Sequence, residues 1–427
     1  MSIHPADHPQ RAMLAGEVHA RPPEPTPTPA RASYVAVLVH SDAREPEIRH
    51  LQQLCRRHDM AGPALEDTHF RVALGALRLK WERHGEFSGY TFSRADLATP
   101  PFGATAAQEV QAGWLADVPG RTVAAVHAEV TSMGELSVDE SAFVARFGQH
   151  PVVGSSIAGG AAAVYTDFRL HDDGCSRIWL VNHSLTEAQT GRVLQRMFEI
   201  EAYRVLALLA LPIARRQAPR IAAIEAALAT LTDGMAREGG DDEALLHELT
   251  GLAAEVESGI AASQFRFGAC EAYHGLVQRR IAELREERLS GLQTVDEFMS
   301  RRLAPAAATC ANVAQRLKGL ADRIGQASAL LATRVGIARE RQNQALLASM
   351  DRRAKLQLRL QQTVEGLSVA AIVYYAAGLV AYVAKAARGI GLAIDPDIAA
   401  GVSIPIVGAV MLWSLRRMRA RLAREAR

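Results

Sequence analysis

Very little in this chain points to nucleic acid, disulfides or a known catalytic centre. The formal net charge is only +2 over 427 residues, which argues against the strongly basic face of a nucleic-acid-binding protein. The four cysteines, Cys55, Cys175, Cys270 and Cys310, are scattered and never fall into a CxxC spacing. Reduced thiols in a reducing compartment are therefore expected. The stretch MSIHPADHPQRAMLAGEVHARPP has no apolar run behind a basic start, so no secretory signal is expected. GSSIAGG at 154–160 matches neither GxxxxGK[ST] nor GxGxxG, and no GxSxG elbow or helical HExxH occurs. Ser155 and Ser156 could bind an anion there, although a small-residue loop is the plainer reading. These absences predict no enzyme activity, no cofactor and no metal. Twelve of the 14 histidines precede residue 184, so any metal site would have to be assembled from distant positions.

Two long uncharged runs stand out against that background. GLSVAAIVYYAAGLVAYVA, 366–384, and IAAGVSIPIVGAVMLWSL, 398–415, carry no charged residue. The first would extend roughly 28 Å as a helix, close to the thickness of a bilayer core. Pro405 and the glycines of the second are tolerated in membrane helices. Arg352, Arg353, Lys355 and Arg359 precede the first run, and Arg416, Arg417, Arg419, Arg421, Arg424 and Arg427 follow the second. Between the runs only Lys385 and Arg388 stand against Asp395 and Asp397. The positive-inside rule then predicts that both termini face the cytoplasm and the connecting loop faces out. The basic tail could also meet anionic headgroups.

Proline divides the remainder. Thirteen of 18 prolines precede residue 152, whereas 186–362 holds only Pro212, Pro219 and Pro305. The first part is predicted to be mixed α/β and the second to hold long helices. PPEPTPTP, 22–29, reads as an extended linker. Strands are predicted at 33–40 and 122–131, and a helix at 45–57. Hairpins are predicted from 68–83 with 86–92, turning at His84-Gly85, and from 161–170 with 176–181, around Asp172-Asp173-Gly174. Thr186 caps a helix running through 216, and Asp139-Glu140 and Asp241-Asp242-Glu243 read as solvated helix starts. One long helix is expected from about Asp242 to Leu303 and another from Pro305 into the first apolar run. Leu317, Leu320, Ile324, Ala327 and Leu331 form a short heptad seam. The expected organisation is an N-terminal arm and linker (1–30), an α/β cytoplasmic domain (31–184), a long-helix bundle or stalk (185–362), and a two-helix transmembrane hairpin with a basic tail (363–427).

EVHARPP at 17–23, EIEAYRVLALLALPIAR at 199–215, RRLAPAAATC at 301–310 and LQLRLQQTVEGLSVAAIVYYAAGLVAYVAK at 356–385 carry a resemblance. The chain resembles the domain-of-unknown-function 3422 family, bacterial proteins described as membrane-anchored. The resemblance implies an anchor and supplies no catalytic residues. The layout also resembles CorA-type cation channels, whose first span ends in a Gly-Met-Asn triplet. The corresponding GLVAYVAKAARG has none.

Glu17, His19 and Arg21 form the sharpest polar cluster. On a strand they would share a face and could bind an anion or relay a proton, or simply dock the arm through an ion pair. The favoured reading is a non-enzymatic membrane-anchored interaction or scaffold protein, with the lipid bilayer and an unidentified protein as partners. The alternative is a homo-oligomeric CorA-like channel or transporter, with Tyr374, Tyr375, Gly378 and Tyr382 as candidate pore-lining residues. A membrane-tethered enzyme is a third reading, and it would require a deep polar pocket in the first domain.

Overall fold

A computed structural model describes residues 7–19, 22–111, 113–134, 138–237, 241–389 and 395–425. It is mixed α+β, with a sheet in the N-terminal part, long helices after it and an apolar helix pair at the end. The chain divides into two compact units, Met1–Ala329 and Leu330–Arg427.

The first unit is built on nine strands. In chain order these are β1 (Ala30–Leu38), β2 (His69–Leu74), β3 (Leu77–Arg83), β4 (Phe87–Arg94), β5 (Arg121–Ser132), β6 (Val153–Ile157), β7 (Ala162–Thr166), β8 (Ser176–Asn182) and the two-residue β9 (Glu287–Arg288). Across the sheet they run β2-β3-β4-β1-β5-β8-β7-β6-β9. Every pairing is antiparallel except β5 with β8. The predicted strands at 33–40 and 122–131 are β1 and β5, and the predicted second hairpin is β7–β8. The first predicted hairpin holds one strand more than expected. Gly75, at φ 69°, turns the chain within 68–83, so three strands replace two. GSSIAGG is likewise not a loop throughout. Its first four residues belong to β6, where Ser155 is fully buried and bonds Glu286 at 3.2 Å.

Helix α2 (Arg44–Arg57) covers one face of the β2-β3-β4-β1 half. Its Ile48, Leu51 and Leu54 meet Leu79, Trp81 and Phe92, all almost fully buried. Glu47 sits inside this core because Trp81 Nε1 donates to it at 3.0 Å and the Tyr90 hydroxyl at 2.6 Å. Helix α3 (Glu140–Phe147) packs on β7 and β8 through Phe147, Tyr165 and Trp179. Asp139 caps it, accepting from Ala142 N at 2.9 Å.

Helix α4 (Glu187–Leu208) also packs on the sheet, where Phe198 stacks on Tyr34 with ring centroids 5.2 Å apart. Thr186 and Gln189 close a capping box at its start. The proline-rich segment is extended as expected, yet it is docked rather than loose. Thr26 N donates to Glu187 O at 3.0 Å, and Glu24 pairs with Arg78 at 3.2 Å. Gly191 makes room for this strap, since a Cβ there would lie 2.0 Å from Glu24 O.

The helix predicted through 216 is two helices. Helix α5 (Leu211–Met235) starts afresh with Pro212 in its first turn, a position where the missing N–H costs nothing. Asp241 caps α6 (Asp242–Leu284) by accepting from Ala244 N at 3.0 Å. The long helix expected to reach Leu303 ends instead at Leu284. Arg285 takes the left-handed conformation, φ 52°, and the chain adds β9 to β6 before α7 (Val295–Arg302). Glu286 holds this break by accepting from Ser155 Oγ and from Asp296 N, at 3.2 and 3.3 Å. Helix α8 (Ala304–Gly389) begins beyond it, and Leu317, Leu320 and Ile324 are buried along its first-unit part.

The second unit consists of the remainder of α8 and of α9 (Pro396–Glu425). Val364 and Ile372 of α8 and Met411 and Leu415 of α9 line one cleft of about 390 Å³, so the two helices lie side by side there. Both are long and apolar enough to cross a membrane. Only 11% and 6% of their most apolar windows are buried within the protein.

Candidate functional site

The residues nominated by sequence fall into two groups. Glu17 and His19 lie on α1 (Arg11–His19), so the backbone there is helical where a strand was considered. Arg21, and the side chains of Glu17 and His19, lie outside the described residues. Tyr374, Tyr375 and Tyr382 are all at least 72% exposed on α8, and Gly378 is half-buried beside them.

The structure assembles chemistry elsewhere, on the connection between β7 and β8. This loop carries Asp167, His171, Asp173 and Cys175. Its neighbours are fixed by α3, whose Arg146 donates to the buried Glu129 at 3.2 Å and lies 4.1 Å over the Trp179 ring. Burial pushes the Glu129 carboxyl up, against the Phe102 N–H and Arg146, which hold it down. Arg177 Nη1 donates to Arg146 O at 2.7 Å. That scaffold sets His150, three residues past the end of α3, opposite the loop.

Two clusters result. In the first, Ser33 Oγ lies 2.8 Å from His127 Nδ1, and His127 Nε2 is 3.7 Å from Asp173. Cys175 is beside them. The order Ser-His-Asp suggests a nucleophile, but Ser33 is fully buried and its oxygen already accepts from Ala107 N at 3.0 Å. Ser33 Oγ and His127 Nδ1 therefore share a hydrogen bond inside the core, with Ala107 N as the second partner of the hydroxyl. Burial pulls its pKa down to about 4, against Asp173 and with Arg177 assisting. Burial, with Asp173, pushes the Cys175 thiol up to about 12. Burial thus favours the uncharged forms of His127 and Cys175 in this cluster.

The second cluster differs. His150 Nδ1 and His171 Nε2 each lie 2.9 Å from the same atom, Asp167 Oδ2. The Asp167 side chain is fully buried. His150 makes a well-directed hydrogen bond, whereas His171 Nε2 has no hydrogen-bond partner among the described residues. The two rings stand 5.3 Å apart. Two imidazole nitrogens and one carboxylate oxygen are a donor set that can hold a metal ion. Neither cluster has a short-range sequence signature, because the ligands come from three separate segments: β5, the stretch after α3 and the β7–β8 loop. The surplus of histidines before residue 184 was the only hint.

Elsewhere, a cavity of about 30 Å³ under α4 is lined by Tyr34, Lys80, Glu82 and Glu199, room for about one water. Burial pulls the Lys80 ammonium down, although Glu82 lies 2.9 Å away. A larger groove of about 600 Å³ between α6 and α8 is lined mainly by apolar residues, including Phe267, Ala307 and Leu317, together with the free thiols Cys270 and Cys310.

Residues 6–422 match the family described as "Protein of unknown function (DUF3422)". The chain belongs to this DUF3422 family. No curated protein matches it. The solved structure of the full-length CmaX protein aligns over 70% of this chain and 94% of its own, at 14% identity and a TM-score of 0.20. A superposition that loose carries no argument about fold or activity, and it lends no support to the CorA-type layout.

Proposed function

We propose that this DUF3422 protein is a membrane-anchored interaction protein, held by α8 and α9 and displaying its sheet and helices on the cytoplasmic side of a bacterial inner membrane. One observation carries the reading: the apolar windows of both helices are almost entirely bare within the chain. The core helix of a soluble protein would bury such a window, and surface this apolar does not stay in water unaccompanied. The arginines flanking both windows support cytoplasmic termini.

Alkaline extraction of membranes from cells expressing the full chain tests the anchor. The protein should stay in the pellet through carbonate and be released by detergent. Leu379→Arg combined with Val410→Arg adds a charge to each window, at about 2.5–3.5 kcal/mol apiece if placed near the bilayer centre, and should move the protein out of the pellet. Release of the unmodified chain by carbonate alone would refute the proposal.

A further inference from the structure

The convergence of His150 and His171 on one carboxylate oxygen leaves an inconsistency that a proton alone does not remove. Both nitrogens sit 2.9 Å from Asp167 Oδ2, yet only His150 is oriented to donate. His171 Nε2 is buried and, despite that short distance, makes no directed hydrogen bond among the described residues, an arrangement that folded proteins rarely tolerate. We propose that His150 Nδ1, Asp167 Oδ2 and His171 Nε2 bind a first-row divalent cation of the zinc class, joining the segment after α3 to the β7–β8 loop.

Three further features fit. Asp167 Oδ1 accepts from Arg169 N at 3.2 Å, which fixes the carboxylate and leaves Oδ2 for the cation, as outer-shell partners do around metals. The donor set is two imidazoles and one carboxylate, which favours zinc, cobalt, nickel or iron over magnesium and calcium. Ligand atoms around a tetrahedral zinc stand roughly 3.3 Å apart, given bonds of about 2.0–2.1 Å. The observed 2.9 Å separations therefore need to open by only a few tenths of an ångström. Three protein ligands leave a fourth position, and the His150 side chain, 37% exposed, gives water a way to it. The neighbouring charge does not forbid a cation, because Arg204 is already paired with Glu201. The adjacent cluster, His127, Asp173 and Cys175, offers a thiol in place of the second imidazole, so a bound metal would report which of the two clusters holds it.

Cobalt(II) is the probe, because its visible bands report ligand number and type. Full-length protein in detergent, stripped with a chelator, is titrated with cobalt(II) and then challenged with zinc(II). The expected result is one cobalt per chain, bands of four- or five-coordinate N/O ligation, and displacement by zinc. His150→Gln retains a hydrogen-bond donor near Asp167 while removing the imidazole. It should weaken cobalt binding at least tenfold and leave the melting curve of the metal-free protein unchanged. Cys175→Ser should bind as the parent does. Absence of a stoichiometric band in the folded parent would overturn the proposal, as would full binding by His150→Gln. Sulfur-to-cobalt charge-transfer bands lost in Cys175→Ser would overturn it too, by assigning the metal to the other cluster.

Discussion

The two units of this chain use the same residues to opposite ends. In Met1–Ala329, Ile48, Leu51, Leu79 and Leu180 are withdrawn almost completely from the surface. In Leu330–Arg427, Leu367, Leu379, Val383 and Ile398 are each at least 66% exposed. Charges divide the same way. Arg146 and Glu129 pair in the core at 4% and 3% side-chain exposure, whereas Lys355 and Asp351 pair on the α8 surface at 72% and 60%. The first unit gathers its large apolar side chains into cores of its own. The second presents apolar area that only another phase or another chain can cover, so its composition is informative about surroundings rather than about folding.

The ion pairs give the sharpest way to break this comparison. Arg146→Ala leaves the Glu129 carboxylate buried without its partner, and chemical denaturation of the first unit should show a loss of about 3–5 kcal/mol. Adding Glu129→Gln should recover part of that loss. Lys355→Ala removes an exposed i,i+4 pair and should leave the transition of the first unit where it was. A next step exchanges the leucines. Leu79→Ala, in a side chain 1% exposed, should cost about 2–5 kcal/mol. Leu379→Ala should leave the first unit's unfolding midpoint unchanged, because no core atom loses a neighbour. Equal effects from the two leucine variants would mean that α8 buries Leu379 against something in the purified protein, and the contrast between the units would fail.

Much of this division was legible in the sequence, but not all of it. The uncharged runs at 366–384 and 398–415 are long enough to be read by inspection, and Thr186, Asp139 and Asp241 announced their helices through local capping chemistry. The break after Leu284 was not legible. AELREERL is good helix sequence, and what stops it is non-local: Glu286 bonded to Ser155, and β9 added to β6. Strand β6 was missed because glycine and serine are poor strand formers, and here the partners on either side impose the conformation. The His150–Asp167–His171 cluster lay beyond reach for a related reason. Its members are 17 and 4 residues apart, on a helix exit and a loop, so no periodicity aligns them.

Histidine sharpens the comparison once more, since residues 330–427 contain none. Any dependence on pH between about 7 and 4 that arises from imidazoles must then reside in the first unit. His127 is the group to follow. Its pKa in the fold is about 4, below the ordinary 6.5, because burial disfavours the imidazolium. Between those values the unfolded chain takes up a proton that the folded one refuses, so stability falls as pH drops from about 6.5 towards 4 and then levels. The full window corresponds to roughly 3 kcal/mol, at about 1.4 kcal/mol per pH unit, and about 2 kcal/mol should be gone by pH 5. Urea midpoints measured from pH 7 to 5 should show this slope in the parent and a shallower one in His127→Gln. The Gln variant begins less stable, because the hydroxyl of Ser33 loses its imidazole partner. Membrane retention, set by a unit without histidine, should not change over the same range. A parent and His127→Gln with parallel slopes would move the titrating group elsewhere in the first unit.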